Sequence, residues 1–265
     1  MATKTATTFK LGRLPRSHDK RIPMLHTLLA GKALEPVVPT VDYTKGMPAN
    51  LGMMMNDTLG DCTCAAYYHA IQVWSFHALN NIETEPDVDV EDLYEQACGY
   101  KPSQGGEGPG GNEQHVLTYI LKKGAPFGLN GQQRHKMVAF VEVDVTNTDN
   151  IKRSIYDCGV SYIGFNVPQY IVPQNAEPLA VWDVNPKADN TIVGGHAVVL
   201  AGYDANGARV ISWGQYYTMT WAFFAKFVDE AYAIADPTWI NAKNQTPGGL
   251  SVQQLEQAMQ ELKGS

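Results

Sequence analysis

Residues 62–79 (CTCAAYYHAIQVWSFHAL) contain neither Gly nor Pro, and they place Tyr67, Ile71, Trp74 and Ala78 at helical spacing. The run predicts one long helix, capped by Asp61 or Thr58. Residues 90–98 predict a second helix and 113–123 a third, which Gly124 ends. The glycine-rich loop 104–112 (QGGEGPGGN) lies between them. Beyond this point the pattern turns to strand. Residues 138–143 and 160–165 read as strands around a short helix at 149–157. Residues 196–203 (HAVVLAGY) and 208–213 (ARVISW) are β-rich runs joined across Asn206-Gly207, a hairpin signal. A helix over 219–229 and a last strand over 231–234 follow. The tail puts Leu255, Met259 and Leu262 on one helical face.

A helical first half and a β-rich second half predict an α+β protein of two lobes with a cleft between them. The helical lobe spans about 50–125, the β-rich lobe about 126–240, and a C-terminal helix about 250–263. Residues 34–50, with Pro36, Pro39, Pro48 and Gly46, read as an extended lead-in. Residues 1–36 form an arm rather than a domain of their own. They carry Lys4, Lys10, Arg13, Arg16, Lys20, Arg21 and Lys32 against Asp19 and Glu35, so a basic arm precedes an acidic body. Complementary charge predicts that the arm packs on its own body; the sharper reading is a docking arm for a protein partner or a nucleic-acid backbone.

The net charge of −7 disfavours nucleic acid as a partner of the body. No apolar run approaches the ~18 residues of a membrane span. The polar start shows no secretory signal, so the expected setting is the cytoplasm, or a virion or other assembly if the chain is phage-derived. The four cysteines, Cys62, Cys64, Cys98 and Cys158, read as free thiols, and their spacing builds no zinc site. No metal or other cofactor is implied.

One thiol stands apart. Cys62 follows Leu59-Gly60-Asp61 at the predicted helix start, where first-turn amides and the helix dipole favour an anion. Gly60 permits the tight approach to that turn. Asn56 offers an amide donor for a developing oxyanion. His196 opens an apolar strand after Gly194-Gly195, which leaves its imidazole accessible. A helix-start Cys facing a strand-start His is the geometry of acyl transfer, with Cys62 as nucleophile and His196 as general base. His69 and His77 read as packing or surface residues, Cys64 as a core thiol, and Met53-Met54-Met55 as adaptable packing.

These residues resemble those of papain-like cysteine peptidases. Pro39-Thr40-Val41-Asp42-Tyr43 resembles the start of the mature enzyme, and Asn56 to Cys62 the segment leading to the nucleophile. Gly110-Gly111 and the helix after it, His196-Ala197-Val198 through Gly202-Tyr203, and Ser212-Trp213-Gly214 follow in family order. The resemblance covers about residues 37–236 and implies a papain-like fold, a peptide or protein substrate, and a cleft lined by Gly60, Asp61, Gly110, Gly111, Gly195, Ile211 and Trp213. Four departures stand out. Asn56 replaces the family's oxyanion Gln, Thr63 replaces an aromatic residue after the nucleophile, and Asp61 puts a carboxyl beside the thiol. Ile211 stands where the family holds the Asn that orients the catalytic His, and two-residue periodicity would aim it at His196.

Two functions follow. The first is a papain-like cysteine hydrolase, most simply a peptidase, weakened by Ile211 and Asp61; acyl transfer to an amine uses the same nucleophile and base. The second is a catalytically inactive papain-like protein with a binding or assembly role.

Overall fold

The computed structural model describes residues 9–31, 36–128, 131–172, 178–240, 245–246 and 251–264. In chain order the elements are α1 (Leu25–Leu29), β1 (Val41–Asp42), α2 (Cys62–Leu79), α3 (Asp87–Cys98), α4 (Glu113–Lys123), β2 (Ala125–Phe127), β3 (Gln133–His135) and β4 (Ala139–Glu142). Then come α5 (Thr148–Cys158), β5 (Ser161–Pro168), β6 (Val181–Trp182), β7 (Ile192–Tyr203), β8 (Gly207–Ser212), β9 (Gln215–Thr220), α6 (Trp221–Phe227), β10 (Val228–Ala235), α7 (Val252–Ala258) and α8 (Gln260–Lys263).

Helix α2 is buried on every side from Cys62 to Ser75, which explains why its sequence is apolar all round rather than striped. Its polar groups therefore need internal partners. Trp74 Nε1 donates to the Cys158 carbonyl at 2.7 Å, and Tyr68 Oη to the Pro126 carbonyl at 2.7 Å. Tyr162 Oη reaches back from the sheet to the Thr63 carbonyl at 2.7 Å. The helix packs mainly on β7. Helix α4 begins at Asn112, whose side chain accepts the His115 N–H at 3.2 Å, and ends at Gly124 with φ 80°.

The large sheet runs β4-β10-β5-β7-β8-β9-β6, with β1 paired to β7; β2 and β3 form a separate hairpin. Apart from the parallel β6–β9 pair, its ladders are antiparallel. The β7–β8 hairpin forms across Asn206-Gly207 as its sequence predicts. Several expectations need correction. The strand expected to open at His196 begins at Ile192, so His196 lies inside it. The expected strand at 208–213 ends at Ser212, and Trp213-Gly214 is a two-residue turn with φ 47° and 68°. Positive φ at both positions suits a type I′ turn, whose twist matches the flanking strands. Of the helix expected over 219–229, residues 219–220 lie at the end of β9 and 228–229 open β10. The tail is two short helices that meet at Met259, with Leu255, Met259 and Leu262 buried together; Leu250 lies outside the described residues.

The arm is woven into the body. Ile22 and Leu25 are core residues, and Arg13 is buried. Lys10 pairs with Glu107 at 2.5 Å and Arg16 with Glu142, so the charge complementarity of the sequence takes the form of specific contacts. Lys4, Lys32 and Glu35 lie outside the described residues.

Candidate active site

Cys62 is the first residue of α2 and lies beneath the β7 strand. The backbone N–H groups of Ala197 and Gly12 face its sulfur. The thiol is buried, and that burial pushes it up to about 12, with Asp61 and Glu113 adding to the rise and the two amides opposing it. A thiolate is therefore scarce while the site is closed.

His196 sits on β7 with its ring buried. Nε2 lies 2.8 Å from Ser212 Oγ, and Trp213 stacks on the ring with centroids 4.4 Å apart. Phe165 meets it edge-on. Nδ1 is buried and has no hydrogen-bond partner among the described residues, the Cys62 thiol included. Burial lowers the imidazole to about 3, and nearby His69 adds to the effect. Cys62 and His196 are thus both neutral here.

Ile211 does not face His196. Val199 pairs with Ile211 in the β7–β8 ladder, so Ile211 shares the Val199 face, whereas His196 and Val198 point the other way. Ser212, one residue on, lies on the His196 face. The sequence expectation missed this because it fixed the face of Ile211 from Trp213, which has left the strand for the turn.

Asn56 is not a free donor. Its Nδ2 donates to the Leu59 carbonyl and to Asp61 Oδ1, both at 3.1 Å. Asp61 is fully buried, and desolvation holds its carboxyl well above the usual range, so its charge opposes a thiolate less than the sequence implied. It makes no side-chain cap to α2.

The site also contains what the sequence placed outside it. Residues 9–14 thread between the α2 entry and β7, around a cleft of about 490 Å³. Arg13 N–H donates to Gly195 O at 3.1 Å, Gly111 N–H to Gly12 O at 2.8 Å, and Leu14 N–H to Gly111 O at 2.9 Å. Trp213 Nε1 donates to the Lys10 carbonyl at 3.2 Å, and Phe9 packs on Trp213. Gly12 passes so close to the α2 entry that a Cβ there would lie 1.8 Å from Gly60 O. A Cβ at Gly195 would lie 2.5 Å from Arg13 O. The glycine-rich walls near Cys62 and His196 were legible in the sequence; their occupant was not, because nothing in the arm's composition specifies where it docks. No group of three or more His, Cys, Asp or Glu that could hold a metal occurs among the described residues.

A buried central helix that begins at Cys62 and packs on β7, the strand of His196, within a mixed sheet defines an α+β fold of the papain-like type. It is shared with xylellain, a cysteine protease from Xylella fastidiosa, at TM-score 0.63 and 18% identity over 89% of this chain and 99% of that one. Procathepsin B S9 from Trypanosoma congolense matches at TM-score 0.56 and 12% identity, covering 86% of each chain. The Carica candamarcensis cysteine protease CMS1MS2 matches at 0.51 and 13%, over 76% of this chain and 99% of that one. No family model and no curated protein matches the sequence. No described helix is long and apolar enough to cross a membrane.

Proposed function

We propose that this chain is a cysteine hydrolase acting on peptide bonds, latent while residues 9–14 occupy its cleft. The observation that carries the reading is the pairing of His196: Nε2 is held by Ser212 Oγ, which leaves Nδ1 free for the thiol. Opening the cleft would admit water, lower the thiol and raise the imidazole toward their ordinary values, and let the proton pass from Cys62 Sγ to His196 Nδ1. The thiolate then attacks the peptide carbonyl. The oxyanion forms beside the first-turn amides of α2, which lack intrahelical acceptors. His196 returns its proton to the leaving amine, and water hydrolyses the thioester. Acceptance by an amine instead of water would give ligation from the same intermediate.

The second reading, a binding or assembly protein without catalysis, is favoured by one observation: thiol and imidazole are both driven to their neutral forms. Turnover of fluorogenic peptides by the full chain and by Gly12→Ala separates the two. The hydrolase reading expects turnover in Gly12→Ala that Cys62→Ala abolishes; no turnover in either chain favours the binding role.

A further inference from the structure

Arg13 enters a pocket that is more elaborate than holding an arm requires. Its Nε donates to Glu230 Oε1 at 2.7 Å, and Nη2 reaches the same oxygen at 2.5 Å and Asp229 as well. Glu113 Oε1 lies 3.4 Å from Nε. Consecutive strand residues normally point to opposite faces, yet Asp229 and Glu230 both reach the guanidinium. The irregularity between Val228 and Glu230 in the β10–β5 ladder makes this possible. Across from Glu230, Gly164 supplies no side chain, and a Cβ there would lie 2.2 Å from Arg13 Nε. Tyr232 Oη fixes Glu230 Oε2 at 2.8 Å, and Asn166 Nδ2 fixes Asp229 Oδ2 at 3.0 Å. Glu113 is fully buried, and both its carboxyl oxygens lack hydrogen-bond partners, so the pocket has acceptor capacity that Arg13 leaves unused.

The pocket adjoins Cys62, because the backbone N–H of Gly12, the residue before Arg13, faces the Cys62 sulfur. We propose that this pocket is the substrate-recognition subsite, and that it takes the guanidinium of a peptide arginine close to the reacting carbonyl, with Arg13 as the built-in occupant of the latent state. This rests on the hydrolase reading above for its use, but not for its binding chemistry. A guanidinium offers five N–H donors in a planar fork, which suits acceptors on three sides better than the point charge of lysine. Burial and repulsion from Glu230 hold Glu113 well above the ordinary carboxyl range even beside Arg13, and burial raises Glu230 as well.

The test uses the full chain carrying Arg13→Ala, with Arg13→Met as the second variant should the alanine chain not fold. Binding of benzoyl-arginine amide, benzoyl-citrulline amide and benzoyl-leucine amide is measured by calorimetry. Citrulline keeps the shape and loses the charge. The subsite predicts arginine binding tighter than citrulline by roughly 10-fold to 100-fold, the usual worth of hydrogen bonds to a charged group, with the preference lost on adding Glu230→Gln. Equal binding of arginine and citrulline, or no arginine binding by a folded variant, overturns it and leaves Arg13 as an internal ion pair. Alkylation of Cys62 by peptidyl chloromethyl ketones is read in parallel. Arginine binding without alkylation supports the subsite while failing the hydrolase reading; alkylation with no preference for arginine over leucine overturns the subsite while supporting the hydrolase.

Discussion

His196 Nε2 and Ser212 Oγ lie 2.8 Å apart, and through this contact a strand hydroxyl holds the buried imidazole. The contact follows from the β7–β8 register, which pairs Val199 with Ile211 and turns Ser212 to the His196 face. Ser212→Ala should leave the fold intact and lower acyl-transfer rates roughly 10-fold to 100-fold, part of the 10²–10⁴ that general acid–base catalysis supplies. Ser212→Thr, which keeps a hydroxyl, should recover most of the loss. An unchanged rate in Ser212→Ala would remove the hydroxyl from the account.

Ile211→Asn should not improve the site. Ile211 is fully buried on the face away from His196, so an amide there meets apolar neighbours. Burying an unpaired amide costs about 1–3 kcal/mol. The expected outcome is a lower unfolding midpoint in urea with no gain in thiol reactivity. Faster Cys62 alkylation in this variant would mean that the side chain reaches the imidazole after all.

Gly12→Ala should dislodge the arm at one point, because the new methyl overlaps Gly60 O and backbone cannot yield cheaply. Iodoacetamide labelling with peptide mapping reads the result. Each 1.4 kcal/mol removed from closure raises the open fraction about tenfold, and Cys62 labelling should rise by at least that order. Cys64 and Cys158 are buried in the core and should not change.

The arm is also part of the core. Leu25 is 1% exposed, and truncation to alanine at a fully buried leucine costs about 2–5 kcal/mol. Leu25→Ala should therefore lower the stability of the whole body in one cooperative transition. A loss confined to a separate early transition would show that the arm is only appended.

Acid should destabilise the closed state through its buried histidines. His196 falls to about 3 and His69 to about 4, both by burial, whereas unfolded histidine titrates near 6.5. Below that value the unfolded chain binds protons that the folded chain refuses, so stability falls as pH drops toward 3. Each group contributes up to about 1.4 kcal/mol per pH unit. At the alkaline end, Cys62 at about 12 keeps its proton while the unfolded thiol loses it above roughly 8.5, so stability falls again there. Urea midpoints across this range should flatten on the acid side in His69→Gln. An unaltered acid limb would assign the loss to other groups.

The sequence made the helices and the main hairpin legible where periodicity and turn chemistry agree: Cys62–Leu79, Glu113–Lys123 and the strands around Asn206-Gly207. Cys62 starts α2 as its sequence predicts, whereas His196, expected to open its strand, lies inside β7, which begins at Ile192. The face of Ile211 was not legible, since it depends on a ladder register and on Trp213 leaving the strand at φ 47°. The engagement of Asn56 by Asp61 and the path of the arm through the cleft rest on contacts between distant residues, such as Arg13 and Glu230, which no local pattern encodes.

Under the proposed function, Cys62 is an acylating nucleophile held latent by the arm. Rapid-quench mass spectrometry of full-length Gly12→Ala with an activated peptide ester tests it most directly. The account predicts a transient acyl adduct mapping to Cys62, slower to form in His196→Gln and in the wild-type chain. An open, alkylatable Cys62 that never acquires the acyl group would contradict it.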